Sequence, residues 1–567
     1  MDFKEIIAKE ISKITNVNKN ELIKYIEIPP NADLGDYAFP CFSLAKELKK
    51  SPMAIAEELK SKLSFDKEIS KIEIAAGYLN FFVDKKIFIY NVLSKINEKQ
   101  DKYGSSQIGK GKNIIVEYSS PNIAKPMHMG HLRNNTIGGA LYKIYEFLGY
   151  SVTGVNFLGD WGINFAKIMA GYSMWKDEYT FTEDSLEPIV NIYVRFTELE
   201  EQDPKYTEDA RKWHLKLEAG DEEAIKLWQW IKEISLKEAK KVYKLLNCKF
   251  DSYNGEAFYN DKMDAIVQEL KDKKLLIESQ GAQVVDLSEY NMPPCIILTS
   301  SGTTLYATRD LASLKYRKET YNFDKALYIV ASEQQLHFKQ LFKVFELMGY
   351  TDYAKNCEHI YYGLILDSQG KKMSTRKGTT WSLLDLLNEG IEKAKTIIEE
   401  KGTDIKDKDT LASQIGIGAI IFNNLQNSKI KDVVFDWDSV LNFQGETGPY
   451  VQYSYVRTRS ILNKIDSIPD FEKIDCGLLI EKEAVEVIKL LGRFEDIVLN
   501  AADKNEPSLI ARFLIDLSQV FSNFYNEHHV LTDNKEIQDA RVILTLYTGM
   551  VLKIGMSLLG IEAPEKM

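Results

Sequence analysis

What this 567-residue sequence has little of narrows its function first. Its five cysteines, Cys41, Cys248, Cys295, Cys357 and Cys476, lie far apart with no CxxC pair. That spacing argues against a disulfide framework and a structural zinc site and leaves buried free thiols. No apolar run approaches the ~18 residues of a membrane span, and the segment MDFKEIIAKEISKITNV alternates charge and apolar residues where a signal peptide would be uninterrupted. The expected setting is therefore cytoplasmic, with no membrane partner. Basic charge is also short: 72 Lys and Arg face 83 Asp and Glu, for a net −11. This weighs against any chain-wide affinity for nucleic acid and leaves only local basic patches, such as Lys371, Lys372, Arg376 and Lys377, to supply one. Low-complexity tracts and fixed-period repeats are missing as well.

What is present has the size of about three or four domains. Residues 1–105 read as an α+β module, with helical patterns at 2–15 and 42–63 and a strand-like segment, IEIAAGYLNFFV, at 72–83. From Asn113 strand, loop and helix alternate, as in a parallel βαβ sheet: NIIVEYSS, a helix over 131–148, then SVTGVNFLGD. Charged, Trp-bearing helical sequence at 176–247 interrupts the pattern, which resumes with VVDL, CIILTS, TLYAT and ALYIVAS before 360. A basic loop and connecting helices fill 361–440, and amphipathic helices over 449–465, 481–502, 507–528 and 536–559 make an all-α bundle of 441–567. The expected fold is α/β, a parallel nucleotide-binding domain with a helical insertion, an N-terminal α+β domain and a C-terminal helical bundle.

Chemistry concentrates in two loops. In SSPNIAKPMHMGHLRNN a buried strand ends in a Pro-rich loop and a helix begins near His131, where free N–H groups and the helix dipole favour a phosphate. Gly130 would let a nucleotide approach the backbone, and His128 and His131 share a helical face from which both can donate to phosphate oxygens. Taken alone, the histidine pair is equally half of a metal site or an ordinary packed pair. In KKMSTRKG at 371–378, Lys372 and Lys377, with Arg376, are placed to neutralise a pentavalent phosphorus, and Gly378 permits movement. By itself this run reads more readily as a solvated loop.

Together HMGH at 128–131 and KMSTR at 372–376 resemble the HIGH and KMSKS signatures of class I aminoacyl-tRNA synthetases, in order and separation. VEYSSPNIAKPMHMGHLRNN, NFLGDWG at 156–162, TLYATRD at 304–310, GETGPYVQY at 445–453, AAGYLNFF and the terminal GIEAPEKM resemble the arginyl-tRNA synthetase family, so the likeness spans the chain. The resemblance departs at Thr375, where the family motif has lysine, and at DARV (539–542), which approximates DALR. It implies arginine activation by ATP with Mg²⁺, then transfer to tRNA(Arg), with tRNA bound before the first step, in a monomer. His128, His131, Lys372, Arg376 and Lys377 would be catalytic, and Lys125, Gly130, Met373 and Ser374 would join the histidines around ATP. Tyr306 and Asp310 would take the guanidinium, Glu117 and Asn122 the amino-acid end, and Gln334 the pocket wall. A fork of carboxylates and acceptors suits a planar, permanently charged guanidinium and leaves acceptors unpaired against lysine. Tyr450, Tyr453 and Arg457 would meet anticodon bases, and the N-terminal module the tRNA elbow.

Other classes fit less well. GSSQIGKG at 104–111 has P-loop spacing, but Gly111 stands where the motif needs Ser or Thr, and the segment precedes a strand where a P-loop follows one. A nucleotidyltransferase would leave the helical C-terminal domain idle. A metal site at His128 and His131 lacks a close third ligand. A non-catalytic RNA-binding relative remains the alternative from another class, and the intact motif residues speak against it.

Overall fold

The computed structural model describes residues 3–29, 34–182, 185–300, 302–371, 382–400 and 405–567. The chain divides into two compact units, one of Met1–Tyr103, Thr458–Arg493 and Gln519–Val551, the other of Gly104–Arg457, Phe494–Ser518 and Leu552–Met567.

In the first unit, strands Tyr37–Pro40, Ile69–Ala75 and Tyr78–Val83 form an antiparallel sheet with the last strand in the middle. The segment read as one strand at 72–83 is in fact most of a hairpin. Ala76 and Gly77, with φ of 49° and 81°, make its two-residue turn, a conformation that glycine tolerates and that matches strand twist. Helices Phe3–Thr15 and Pro52–Lys62 cover the sheet around Ile7, Ile11, Ile55, Phe39 and Phe81. Within this unit the Tyr103 hydroxyl donates to the Leu491 carbonyl at 2.8 Å, and Lys489 pairs with Asp36 at 2.6 Å.

The second unit is built on four parallel strands, in the order Cys357–Ile360, Lys325–Ile329, Asn113–Glu117, Ser151–Val155. The chain leaves Asn113–Glu117 through helix Met129–Phe147 to one neighbour and later returns on the other side. A crevice therefore opens beyond the carboxyl end of that strand, where such sheets bind ligands. Helix and strand approach closely: a Cβ at Gly138 would lie 2.3 Å from Tyr118. The VVDL and CIILTS segments do not join the parallel sheet. They belong to a small antiparallel sheet of Leu276–Ser279, Ala282–Val285 and Cys295–Leu298, because Gln280 and Gly281, both at positive φ, turn the chain straight back. TLYAT likewise opens a helix, Tyr306–Tyr321, not a strand.

The interruption is helical, with helices Glu187–Glu200, Pro204–Glu218 and Glu222–Leu245, each of the last two started by an aspartate cap. Helices Leu383–Glu400 and Lys408–Leu425 follow the basic loop. Beyond them run Gly448–Leu462, Lys482–Asp503, Ser508–Glu527 and Lys535–Leu558. The last of these is long and apolar enough to cross a membrane by composition, yet 72% of that stretch is buried inside the protein, as in a core helix.

Candidate active site at the switch point

The loop that follows Glu117 is held under strain. Ser119, Ser120 and Ala124 all have positive φ, at 71°, 48° and 60°, which costs L residues energy and persists only where neighbours hold it. The neighbours are visible. Asn134 accepts from the Ser119 N–H and donates to the Ile329 carbonyl at 2.6 Å, stitching two strand ends together. Asn156 accepts from Ser120 N–H at 3.2 Å and donates to the Tyr243 hydroxyl, which also bonds Ser119 Oγ at 2.8 Å. Ser235 accepts from the Ala124 N–H at 3.0 Å. Tyr243 and Ser235 both lie on helix Glu222–Leu245, so the insertion shapes the loop. Asp160 of NFLGDWG, fully buried, is anchored by Lys232 at 2.6 Å and by the Ala257 N–H at 2.9 Å.

At the end of this loop the two histidines cap the helix reciprocally. His128 Nδ1 accepts from the Gly130 N–H, and His131 Nδ1 from the His128 N–H, each at 3.0 Å. Accepting through Nδ1 leaves the ring proton of each neutral imidazole on Nε2, so both rings keep an N–H donor beside the helix N-terminus. Their centroids are 4.2 Å apart. Burial, with His128 alongside, pushes the His131 pKa down to about 3, so it is a neutral donor at physiological pH. Gly130 has a reason beyond nucleotide access: a Cβ there would lie 2.9 Å from His128 Cε1. Buried Arg133, two residues on, docks the same helix on the carbonyls of Asn424, Lys429 and Lys431 at 2.7 to 3.3 Å.

Lys372, Met373, Ser374, Arg376 and Lys377 lie outside the described residues. Just after that stretch, the Leu383 N–H donates to the Met127 carbonyl at 2.7 Å, so the chain resumes against the HMGH loop. A cavity of about 20 Å³, large enough for a water, lies between this junction and helix Glu222–Leu245. Lys125 is exposed and its ammonium lies 4.9 Å from the Tyr193 ring centroid.

The expected arginine residues come from several elements. Tyr306, 69% exposed, and Asp310 stand one turn apart on helix Tyr306–Tyr321, presenting one face. Asn122 is exposed and bridges Gly159 in the loop beside the histidines, and exposed Gln334 caps helix Gln335–Leu347. Glu117, in contrast, is buried and its carboxylate lies 2.5 Å from Arg317, itself fully buried. Burial raises the Glu117 pKa, and the Arg317 charge works the other way. Asp310 pairs with His337 at 2.6 Å, and Glu256 with Arg309 at 3.5 Å. Arg317, His337 and Glu256 were not anticipated. Arg317 had a signal: it lies seven residues beyond Asp310, two turns along the same helix.

On helix Gly448–Leu462, Tyr453 is exposed and the Arg457 guanidinium sits 5.0 Å from its ring, while Tyr450 is half-buried. Tyr455 is buried, with its hydroxyl on Glu565 at 3.4 Å, a core position that no base can reach.

Comparison with known proteins shows the family. Residues 91–437 match the model for the class I (R) tRNA synthetase catalytic domain, 451–567 the DALR anticodon binding domain, and 1–83 the arginyl-tRNA synthetase N-terminal domain. An arginine–tRNA ligase of Clostridium kluyveri is 50% identical over 569 aligned residues, and one of Alkaliphilus metalliredigens 45% over 567, each covering 100% of both chains. Thermus thermophilus arginyl-tRNA synthetase superimposes with a TM-score of 0.83 at 25% identity and 100% coverage of both chains, and the Plasmodium falciparum enzyme with 0.80 at 25% and 99%. With a catalytic-domain match over more than half its length and full-length relatives at this identity, the chain belongs to the class I arginyl-tRNA synthetases.

Proposed function

We propose that this chain activates L-arginine with ATP and transfers it to the 3′-terminal adenosine of tRNA(Arg). The observation that carries the reading is the reciprocal histidine cap in the crevice beyond the carboxyl end of strand Asn113–Glu117, whose last residue is the buried Glu117 carboxylate facing Arg317. The arginine carboxylate attacks the α-phosphorus, pyrophosphate departs, and the terminal ribose hydroxyl then takes the arginyl group. No covalent enzyme intermediate is needed; the residues supply in-line positioning and charge stabilisation. Nε2–H of His128 and of His131 would donate to phosphate oxygens, with Gly130 keeping the approach open and Lys125 at the rim. Lys372, Arg376 and Lys377 would share the developing charge, with Met373 and Ser374 against the nucleotide. Tyr306 and Asp310 would hold the guanidinium, Gln334 the wall and Asn122 the amino-acid end. Glu117 would act there through the field of a carboxylate already paired to Arg317.

ATP enters as substrate. Mg²⁺ would arrive on its phosphates, since no group of three or more His, Cys, Asp and Glu among the described residues could hold a metal ion. The family-model limits support a division of labour in which 1–105 meets the tRNA elbow, 106–360 and 361–440 carry the chemistry, and 441–567 reads the anticodon. Tyr450, Tyr453 and Arg457 would contact its bases. The reading includes a cytoplasmic monomer that needs tRNA for the first step. Charging of total tRNA with each of the twenty amino acids tests the whole: arginine alone should be incorporated. Another amino acid would overturn the pocket assignment, and none would favour a non-catalytic RNA-binding relative.

A further inference from the structure

Three carboxylates and three cations meet around the expected guanidinium site. Glu117 faces Arg317 at 2.5 Å, Glu256 faces Arg309 at 3.5 Å, and Asp310 faces His337 at 2.6 Å. Both arginines stay charged at any physiological pH. His337 is the one cation of the set whose charge changes near neutrality. With His337 protonated a guanidinium must enter against a cation already on Asp310. With His337 neutral the Asp310 carboxylate faces no cation of its own, so its charge is open to the ligand. The neutral ring can still donate Nε2–H to Asp310 Oδ2, so the carboxylate keeps its orientation while the other oxygen is left for the ligand.

We propose that His337 is a positioning residue that sets arginine affinity through its own proton: arginine binds the form in which His337 is neutral, and binding to the protonated form releases one proton to solvent. This rests on the assignment of Asp310 to the guanidinium. Burial works to lower the His337 pKa, but the hydrogen bond and charge of Asp310 outweigh it and hold it above its ordinary value. The other titratable groups around the pair are accounted for. Cys295 has its thiol pushed up to about 12 by burial and stays neutral, and His359, behind His337, is held below its ordinary value, chiefly by burial. Glu256 is the competitor: burial raises it to about 7, and its ionisation would favour arginine in the same direction.

Charging kinetics on the full chain separate the two. The KM for arginine should fall roughly tenfold between about pH 6 and about pH 8, with kcat at saturating arginine and the KM for ATP following a different profile. His337→Gln, which places an uncharged donor where Nε2 was, should flatten the arginine profile, and Glu256→Gln should retain it. Independently of any variant, calorimetric titration of the unaltered protein with arginine in buffers of low and high ionisation enthalpy should report net proton release near neutral pH that vanishes at higher pH. A pH-independent KM, a profile unchanged by His337→Gln, a profile abolished by Glu256→Gln, or binding with no proton release would each overturn the proposal. Asp310→Asn isolates the underlying assignment: unchanged arginine affinity in that variant would move the guanidinium elsewhere, whatever His337 does.

Discussion

The two ends of the site are constructed on opposite plans. The proposed phosphate end is local: four consecutive residues, His128 to His131, cap a helix on themselves, behind a loop held by Asn134, Asn156 and the insertion helix. The proposed arginine end is tertiary and ionic. Asp310 meets His337 across 27 residues, and Glu117 on the central strand meets Arg317 on a helix from the far half of the domain. A polyphosphate already carries charge and requires aimed donors, which one helix N-terminus supplies. A guanidinium requires carboxylates held apart at fixed angles, and carboxylates so crowded need cations between them.

If that contrast is right, the largest effect comes from Asp310. Asp310→Ala should raise the arginine KM by roughly a hundredfold or more, or abolish charging, because an ionic hydrogen bond to the guanidinium is lost in a half-buried place. Its ATP affinity, measured by equilibrium binding, should match the parent. A variant that lost ATP and arginine together would erase the distinction between the two ends.

Next is Arg317. Arg317→Met leaves the Glu117 carboxyl unpartnered in a buried place, where burial already raises its pKa, so it must take up a proton or stay charged at a cost; removing one member of a buried pair costs about 3–5 kcal/mol. The urea midpoint of the main unfolding transition should drop markedly, and Glu117→Gln with Arg317→Met should recover much of it. Equal midpoints for the single and double variants would mean that the pair is not what stabilises this end.

The same contrast explains how much could be read in advance. The histidine cap was legible because its four residues are contiguous and their chemistry depends on a helix start, which HMGH after a Pro-rich loop signals. The parallel core, the insertion and the helical C-terminal region were legible from periodicity. Hairpin turns were not: Ala76–Gly77 and Gln280–Gly281 reverse the chain within segments that alternate like strands, and VVDL and CIILTS consequently sit in a separate sheet. Of the cations only Arg317 had a hint, its place two turns beyond Asp310 on one helix, and the pairings were not legible. Nothing in the order of residues says that Glu117 will find Arg317, or that a histidine opening helix Gln335–Leu347 will reach Asp310, since both pairings exist only after three elements pack. Tyr455, beside arginines in sequence, faces the core because the helix turns it there.

The smallest expected effect is an absence of one, and it is where the two ends differ most sharply. With its pKa near 3, His131 is neutral at every pH where charging is measured, so no proton leaves it or joins it between about pH 6 and about pH 8. His131→Asn keeps an acceptor for the His128 N–H but removes the Nε2–H donor. It should lower kcat for adenylate formation, and the ratio of its ATP KM to the parent's should stay constant across that range, which cancels the titration of ATP itself. A ratio that bends near neutrality would mean that phosphate draws a proton onto His131. The phosphate end would then be a charged site like the arginine end, with both governed by histidine titration and differing only in the sign of the ligand.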